Sequence, residues 1–183
     1  ESFMLQLPKV IGHRGAAGEA PESTAAAIRR AVRGGVDMIE LDVQMTRDGR
    51  LMIFHDERLE RTTNGEGRLV DHTYAQLRRL DAGSWYAPQY CGERILLMSQ
   101  ALRLIPRRCR VNLELKRTPR AAAVVRAFIR GVRRARATDR VIVSSFDAAL
   151  VGSVRRAAPE MAGALLCREQ ANAALREAVR LGC

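Results

Sequence analysis

The chain has 183 residues, of which 47% are hydrophobic and 28% are charged, and its formal net charge at pH 7 is +11. This length supports one domain with its own core, and this composition excludes a disordered chain and a disulfide-stapled mini-protein. No apolar run approaches the roughly 20 residues of a transmembrane helix, and no signal-peptide core opens the chain. We therefore expect a cytoplasmic protein without a membrane span.

The positive charge comes almost wholly from arginine. Only two of the 31 basic residues are lysines, Lys9 and Lys116, and the 29 arginines are scattered along the chain. Aromatic residues make up only 4% of the sequence, which leaves few platforms on which bases can stack. We therefore expect no nucleic-acid partner. The four cysteines lack metal-binding spacing and are expected to be reduced thiols.

The first predicted strand ends in a polar loop. Residues 10–12 are apolar and predict a buried strand, which leads directly into His13 and Arg14. The sequence Pro-Glu-Ser-Thr at 21–24 then precedes an alanine-rich stretch that extends to residue 33. Ser or Thr at the N-cap and the Gly pair at 34–35 predict a helix here.

A second strand and a hairpin follow. Residues 36–43 predict a strand that completes a βαβ unit. Asp48-Gly49 is a turn signal, and extended structure resumes at 51–54, which is typical of a β-hairpin. Residues 56–96 hold the only Trp and all three Tyr, and apart from a short helix at 74–80 they show no clear period. They are interpreted as an insertion.

Strands and helices alternate again after residue 96. The predicted helices are 99–105, 121–136, 148–157 and 172–181, and the predicted strands are 111–115, 141–145 and 162–166. This alternation predicts a parallel sheet, either open or closed into a barrel. Five barrel-type strands are found, whereas a closed eightfold barrel takes about 250 residues. We therefore expect an open sheet or an incomplete barrel.

Polar residues cluster at the carboxyl ends of the predicted strands, where α/β proteins build their sites. The residues are His13 and Arg14 after the first strand, Glu40 and Asp42 in the second, and Glu114 and Lys116 in the third. Three converging carboxylates would repel each other without a cation among them, and oxygen ligands suit Mg²⁺ or Ca²⁺. Each group alone also fits an ordinary role, such as a loop histidine or an ion pair. Their joint occurrence at equivalent strand ends favours a functional site that binds a metal ion.

The hairpin predicts the position of a second histidine. With Asp48-Gly49 as a two-residue loop, the ladder places His55 opposite Asp42, and a register two residues tighter places it opposite Glu40. Either register sets His55 beside the predicted metal site, where an imidazole is suited to proton transfer. Lys116 stands out in a chain that otherwise uses arginine, which indicates that a compact ammonium is needed there.

These residues resemble the glycerophosphodiester phosphodiesterases, a family with a TIM-barrel fold. The similarity extends from residue 10 to about 166 in the expected order. The matching stretches are His13-Arg14-Gly15, Pro21-Glu22-Ser23-Thr24, Glu40-Leu41-Asp42-Val43, Thr46-x-Asp48-Gly49, Phe54-His55-Asp56, Leu59-x-Arg61-Thr62-Thr63-Asn64-Gly65, Asp81-Ala82-Gly83-Ser84-Trp85, Asn112-Leu113-Glu114-Leu115-Lys116 and Ser144-Ser145-Phe146.

The resemblance implies metal-dependent hydrolysis of a glycerophosphodiester to sn-glycerol 3-phosphate and an alcohol. It implies that one divalent metal ion, Mg²⁺ or Ca²⁺, is bound by three carboxylates, that two histidines are the general acid and base, and that two cations hold the phosphate. The implied ligands are Glu40, Asp42 and Glu114, the histidines are His13 and His55, and the cations are Arg14 and Lys116. The alternatives are a metal-dependent phospholipase that acts on lipid headgroups and a catalytically silent binding module on this fold.

Two departures from the family pattern concern a cap and the chain length. The family usually has Asn where this chain has Ser23, and we expect the serine to cap the following helix. The family's last barrel strands have no counterpart here, so we expect one catalytic barrel domain over residues 4–183 that is incomplete at its C-terminus, in a native chain that continues beyond Cys183. Residues 1–3 are interpreted as an artificial addition.

Overall fold

The structure is a computed structural model that describes residues 10–168 and 171–183. Its strands are β1 (Ile11–His13), β2 (Met38–Met45), β3 (Leu51–Ile53), β4 (Arg110–Leu115), β5 (Val141–Ser145) and β6 (Ala162–Leu165). Its α-helices are α1 (Ala25–Arg33), α2 (Tyr74–Leu77), α3 (Met98–Leu104), α4 (Ala121–Arg134), α5 (Ala148–Ala157) and α6 (Ala171–Leu181), and 3₁₀ turns lie at Leu69–Asp71 and Pro88–Tyr90. The interpretation of residues 1–3 lies outside the described residues.

The strands form one sheet in the order β1-β2-β4-β5-β6, all parallel, and β3 is antiparallel on the end of β2. Within the described residues, β1 and β6 each pair on one side only, so the sheet is open. The predicted α/β architecture with five parallel strands is therefore confirmed. The predicted boundaries agree with the structure to within two residues, except that the helix predicted at 74–80 ends at Leu77.

The main core lies between the sheet and the helices. On β4, Val111, Leu113 and Leu115 are fully buried on the helix side, whereas the alternating residues are only half-buried on the other face. The apolar stripe that spacing predicted on α4 packs into this core; it consists of Val124, Val125, Phe128, Ile129 and Val132. The polar face of the sheet is thus left for the site. Within the described part of the chain, no helix is long and apolar enough to cross a membrane.

The residue that caps α1 is Thr24, not Ser23. The Thr24 side chain accepts a hydrogen bond from the Ala27 N–H. Ser23 has a φ of +62°, and its buried hydroxyl has no hydrogen-bond partner among the described residues. The expectation that Ser23 caps the helix is therefore wrong, because its backbone occupies the left-handed region, which favours Asn over Ser.

The hairpin loop between β2 and β3 has three residues instead of two. Met45 pairs with Leu51, and the Thr46 N–H donates to the Arg50 carbonyl at 2.9 Å, so residues 47–49 form the loop. Gly49 has a φ of +80°, the left-handed conformation that typically closes a three-residue loop. The turn therefore shifts the register by one residue from either predicted register.

This shift changes the neighbours of His55. Phe54 lies opposite Asp42, and the Phe54 N–H donates to the Asp42 carbonyl at 3.0 Å. The predicted placement of His55 directly opposite Asp42 or Glu40 is therefore wrong, because the three-residue loop shifts the pairing of the two strands by one residue.

Residues 56–96 contribute no strand to the sheet and pack around a second, smaller core that they share with β3 and the residue after it. This core is formed by Met52, Phe54, Leu59, Leu69, Leu77, Ala82 and Ile95. The Asp81 carboxylate organises a loop because it accepts hydrogen bonds from the backbone N–H groups of Gly92, Ser84 and Gly83 at 2.6, 2.7 and 3.0 Å. These bonds, led by that from Gly92, hold the pKa of Asp81 well below its usual value. The interpretation of the segment as a family insertion stays a prediction.

We predict that Gly83→Ala lowers the free energy of unfolding by roughly 1–3 kcal/mol, the usual cost of overpacking. A Cβ atom at Gly83 would lie 1.9 Å from the Tyr90 carbonyl oxygen, so the loop would have to move. Gly18→Ala is the matched control, since a Cβ there meets nothing within 4 Å. Urea unfolding of both variants checks this, and equal stabilities would contradict it.

Candidate active site

The parallel register brings the acidic side chains of β2 and β4 together. Asp42 pairs with Glu114, and Glu40 lies between His13 of β1 and Asn112 of β4. Because side chains alternate along a strand, Glu40, Asp42 and Glu114 are on one face of the sheet. One carboxylate oxygen from each of these three residues lies within 4.8 Å of the other two. The structure thus contains the acidic cluster that was predicted from the polar residues at the strand ends.

These carboxylates are largely withdrawn from solvent. The side chain of Asp42 is 2% exposed, and those of Glu114 and Glu40 are 12% and 13% exposed. Burial and the neighbouring Asp42 carboxylate raise the pKa of Glu40 to about 7. A third ionised carboxylate is therefore unfavourable here unless a cation compensates it.

Two cations contact the cluster. Lys116 Nζ lies 2.6 Å from Asp42 Oδ1 and 2.6 Å from Glu114 Oε1. Burial alone would lower the pKa of Lys116, but the hydrogen bonds and charges of these two carboxylates raise it, so the ammonium stays charged. Arg14 Nε lies 3.7 Å from Asp42 Oδ2, and the Arg14 backbone N–H donates to Glu40 Oε2 at 3.1 Å.

The two predicted histidines lie in different surroundings. His13 ends β1, and its side chain is 68% exposed with Nε2 3.8 Å from Glu40 Oε2. His55 follows β3, and its Nδ1 lies 2.6 Å from Asp56 Oδ1. The Asp56 bond leaves Nε2 as the ring nitrogen of His55 that is available to a substrate. His55 and Lys116 also line one cleft of about 900 Å³.

A chain of charged contacts joins His55 to the acidic cluster. The Asp56 carboxylate is hydrogen-bonded to His55 and also accepts hydrogen bonds from the Arg61 guanidinium. Arg61 Nη2 donates to Glu22 Oε1 at 2.7 Å, and Arg14 Nη1 donates to the same oxygen at 2.9 Å. Because Arg14 lies next to Asp42, residues from three separate segments form one network.

The network residues Glu22, Asp56 and Arg61 were not among the predicted site residues. All three lie inside the matching stretches quoted above, so motif membership was the available signal. A fourth missed residue, Gln44, follows Asp42 by two positions and is therefore on the same face of β2. Its buried side-chain amide donates to the backbone carbonyls of residues 54, 55 and 56 at 2.9, 3.2 and 2.7 Å, which holds the segment that carries His55.

The donor set fits a hard divalent cation. All three side chains offer oxygen atoms, the ligands that Mg²⁺ and Ca²⁺ prefer. Asp42 Oδ2 is buried and accepts no hydrogen bond from any described residue, so it keeps a lone pair for a cation.

Comparison with known proteins decides the family. The model of the glycerophosphoryl diester phosphodiesterase family matches residues 13–182. The chain belongs to this family. The resemblance that the motifs indicated is therefore confirmed, and so is the TIM-barrel type of the fold, of which the described residues form an open part.

Curated relatives agree with this assignment. A putative glycerophosphodiester phosphodiesterase of Bacillus subtilis is 48% identical over 110 residues, which are 60% of this chain and 45% of that protein. A glycerophosphodiester phosphodiesterase of Caldanaerobacter subterraneus is 39% identical over 159 residues, which are 86% of this chain and 65% of that protein. The chain thus spans about half to two-thirds of the length of these relatives.

Solved structures of the family superpose on this fold. A phosphodiesterase of Oleispira antarctica, solved in complex with the product sn-glycerol-3-phosphate, matches with a TM-score of 0.90 and 33% identity over 97% of this chain and 73% of that chain. A glycerophosphodiester phosphodiesterase of Agrobacterium tumefaciens matches with a TM-score of 0.77 and 33% identity over 86% of this chain and 66% of that chain.

We predict that Asp56→Asn makes the free energy of unfolding depend less on pH in the acid range. The hydrogen bond from Arg61, aided by His55, holds the pKa of Asp56 at about 2 against the effect of burial. An aspartate in an unfolded chain has a pKa of about 3.9, so the native carboxylate adds stability that is complete above this value and is lost as pH falls towards 2. Over this window the native chain should lose about 1–2 kcal/mol more than the variant, after allowance for solvent screening.

Urea unfolding at a series of pH values between about 5 and 2 measures this difference. Arg61→Gln should likewise weaken the pH dependence of the free energy of unfolding, because it removes the guanidinium that stabilises the Asp56 carboxylate. Identical pH slopes for the native chain and both variants would contradict the assignment.

Proposed function

We propose that this chain hydrolyses glycerophosphodiesters to sn-glycerol 3-phosphate and an alcohol, with one divalent metal ion bound by Glu40, Asp42 and Glu114. The observation that carries this proposal is the convergence of these three carboxylates with two cations on one edge of a family barrel. The Oleispira relative was solved with sn-glycerol-3-phosphate as its product, which supports the same product here. A cytoplasmic location and the absence of a nucleic-acid partner stay predictions from the sequence.

The cations of the site hold the phosphate. Arg14 and Lys116 are kept in place by their carboxylate partners, and their remaining N–H groups can donate to phosphoryl oxygens. The metal ion, when bound, supplies further positive charge that stabilises the negative charge developing on those oxygens. The buried acidic cluster thus anchors the groups that neutralise the substrate.

The two histidines exchange protons with the reacting oxygens. One imidazole removes a proton from the attacking hydroxyl, and the other protonates the alkoxide that leaves phosphorus. If the attacking hydroxyl belongs to water, glycerol 3-phosphate forms directly; if it is the glycerol 2-hydroxyl, a cyclic phosphate forms first and water then opens it. Asp56 orients the ring of His55 for this task, and His13 stands next to Glu40 at the end of β1. A pair of groups with complementary protonation states is required, so we assign the two roles jointly to His13 and His55.

We expect the full chain to release sn-glycerol 3-phosphate from glycerophosphocholine and from glycerophosphoethanolamine when Mg²⁺ or Ca²⁺ is present. EDTA should abolish the release and excess metal should restore it, because the acidic cluster would then regain its cation. Enzymatic assay of glycerol 3-phosphate measures this. If neither diester releases glycerol 3-phosphate, the proposed activity is overturned. If EDTA leaves the release unchanged, the metal requirement is overturned.

We expect His13→Ala and His55→Ala each to reduce turnover by about 10²–10⁴-fold, the usual contribution of a general acid or base. His72→Ala is the matched control, since the ring of this third histidine bonds the backbone carbonyl of Arg68 and no side chain among the described residues. Steady-state kinetics with circular dichroism as a check of folding separates lost chemistry from lost structure. Near-normal turnover in either variant would remove that histidine from the mechanism.

A further inference from the structure

The cleft of about 900 Å³ beside His55 shares two residues with the proposed site, His55 and Lys116. We call it the His55 cleft. Lys116 lines the cleft and also contacts Asp42 and Glu114, so this one side chain connects the cleft with the acidic cluster. None of its lining residues belongs to β1 or β6, the strands that pair on one side only in the described chain.

Apart from Gln44 and Met45 of β2, the lining residues come from two parts of the chain. The first group belongs to the segment after β3 and includes Glu57, Arg68 and Asp71. The second group follows β4 and β5 and includes Arg117, Arg120 and Asp147. Among the described residues, no Phe, Tyr or Trp lines the cleft.

The charges of this lining leave no excess of negative charge. Arg68 Nε lies 3.2 Å from Glu57 Oε1 and 3.9 Å from Asp71 Oδ2, and Arg117 Nε lies 4.0 Å from Asp147 Oδ2. Arg120 donates from Nη1 to the backbone carbonyls of Thr46 and Arg47. Together with Lys116, three guanidinium groups line the cleft beside three carboxylates, so the lining is rich in hydrogen-bonding atoms and carries no net negative charge.

We infer that the His55 cleft binds the alcohol half of the substrate and favours neutral polyhydroxy alcohols such as glycerol and inositol. This inference rests on the proposed function, because it takes the phosphate to lie at Arg14 and Lys116. A volume near the upper end of the range for small-molecule clefts leaves room for an alcohol larger than the glycerol half. A hydroxyl group can donate a hydrogen bond to a carboxylate and accept one from a guanidinium group, so this lining can satisfy both the hydrogen and the oxygen of each hydroxyl.

The same lining disfavours a choline headgroup. Quaternary ammonium groups are bound by cages of Trp, Tyr and Phe, and none of these three residue types is in the described lining of the cleft. Its carboxylates are paired with arginines, so they offer no excess negative charge to a cation. A choline would leave the polar groups of the cleft without partners, which is unfavourable for binding.

The test compares diesters that differ only in the alcohol. Binding of glycerophosphoinositol and glycerophosphocholine to the full chain is measured by calorimetry in EDTA, where no metal-dependent turnover occurs. The kcat/KM for both diesters and for the methyl diester of glycerol 3-phosphate is then measured with metal. We expect the inositol diester to bind about tenfold more tightly than the choline diester, and to exceed both other diesters about tenfold in kcat/KM.

Variants of Arg117 probe the cleft directly, since this side chain is 91% exposed and its loss does not disturb the core. Arg117→Ala should reduce kcat/KM for the inositol diester about fivefold more than for the methyl diester, which does not fill the cleft. Arg117→Glu gives the cleft a net negative charge and should shift the preference towards choline by about tenfold. Arg103→Ala, outside the cleft, is the matched control and should leave the preference unchanged.

The outcomes separate this inference from the proposed function. Equal binding of the inositol and choline diesters, or a preference that the Arg117 variants do not change, would overturn the inference even if every diester is hydrolysed. Tighter binding of the inositol diester that depends on Arg117, without turnover of any diester, would support the cleft and overturn the proposed hydrolysis.

Discussion

Mutual repulsion among three buried carboxylates is the constraint on which the site depends. The parallel register of β2 and β4 places Asp42 beside Glu114 and leaves Glu40 two residues away, so the sheet itself forces these charges together. Burying them costs free energy unless cations compensate, and this cost is visible in the pKa of Glu40, which burial and Asp42 raise to about 7. Lys116 and Arg14 offset part of the charge, and the remainder favours a bound divalent ion.

The same charges connect the sheet to the segment 56–96. Arg14 shares the Glu22 carboxylate with Arg61, and Arg61 in turn stabilises Asp56 beside His55. Such a network is strong only when every member is paired, because the loss of one partner leaves a partly buried charge unsatisfied. The segment therefore contributes to the site through charge pairing, while the small core that it shares with Met52 and Phe54, together with the Asp81 loop, keeps it folded.

Sequence reasoning was most accurate where the physics is local. Alternation along a strand predicted that Glu40 and Asp42 share a face, and helical spacing predicted the buried stripe of α4. It failed where a single backbone conformation decides the geometry. A left-handed Gly49 gave the hairpin a three-residue loop and moved His55 out of the predicted register, and a left-handed Ser23 passed the capping role to Thr24.

The sequence by itself determined the fold class, the family and the identity of the side chains at the strand ends, because period, order and motif are properties of the chain alone. Only the tertiary structure decided which atoms meet. The ion pair of Lys116 with Asp42, the bond of Arg61 to Glu22 and the two groups of residues that line the His55 cleft all join parts of the chain that are far apart in sequence. Such contacts depend on strand register and loop conformation, which no local pattern specifies.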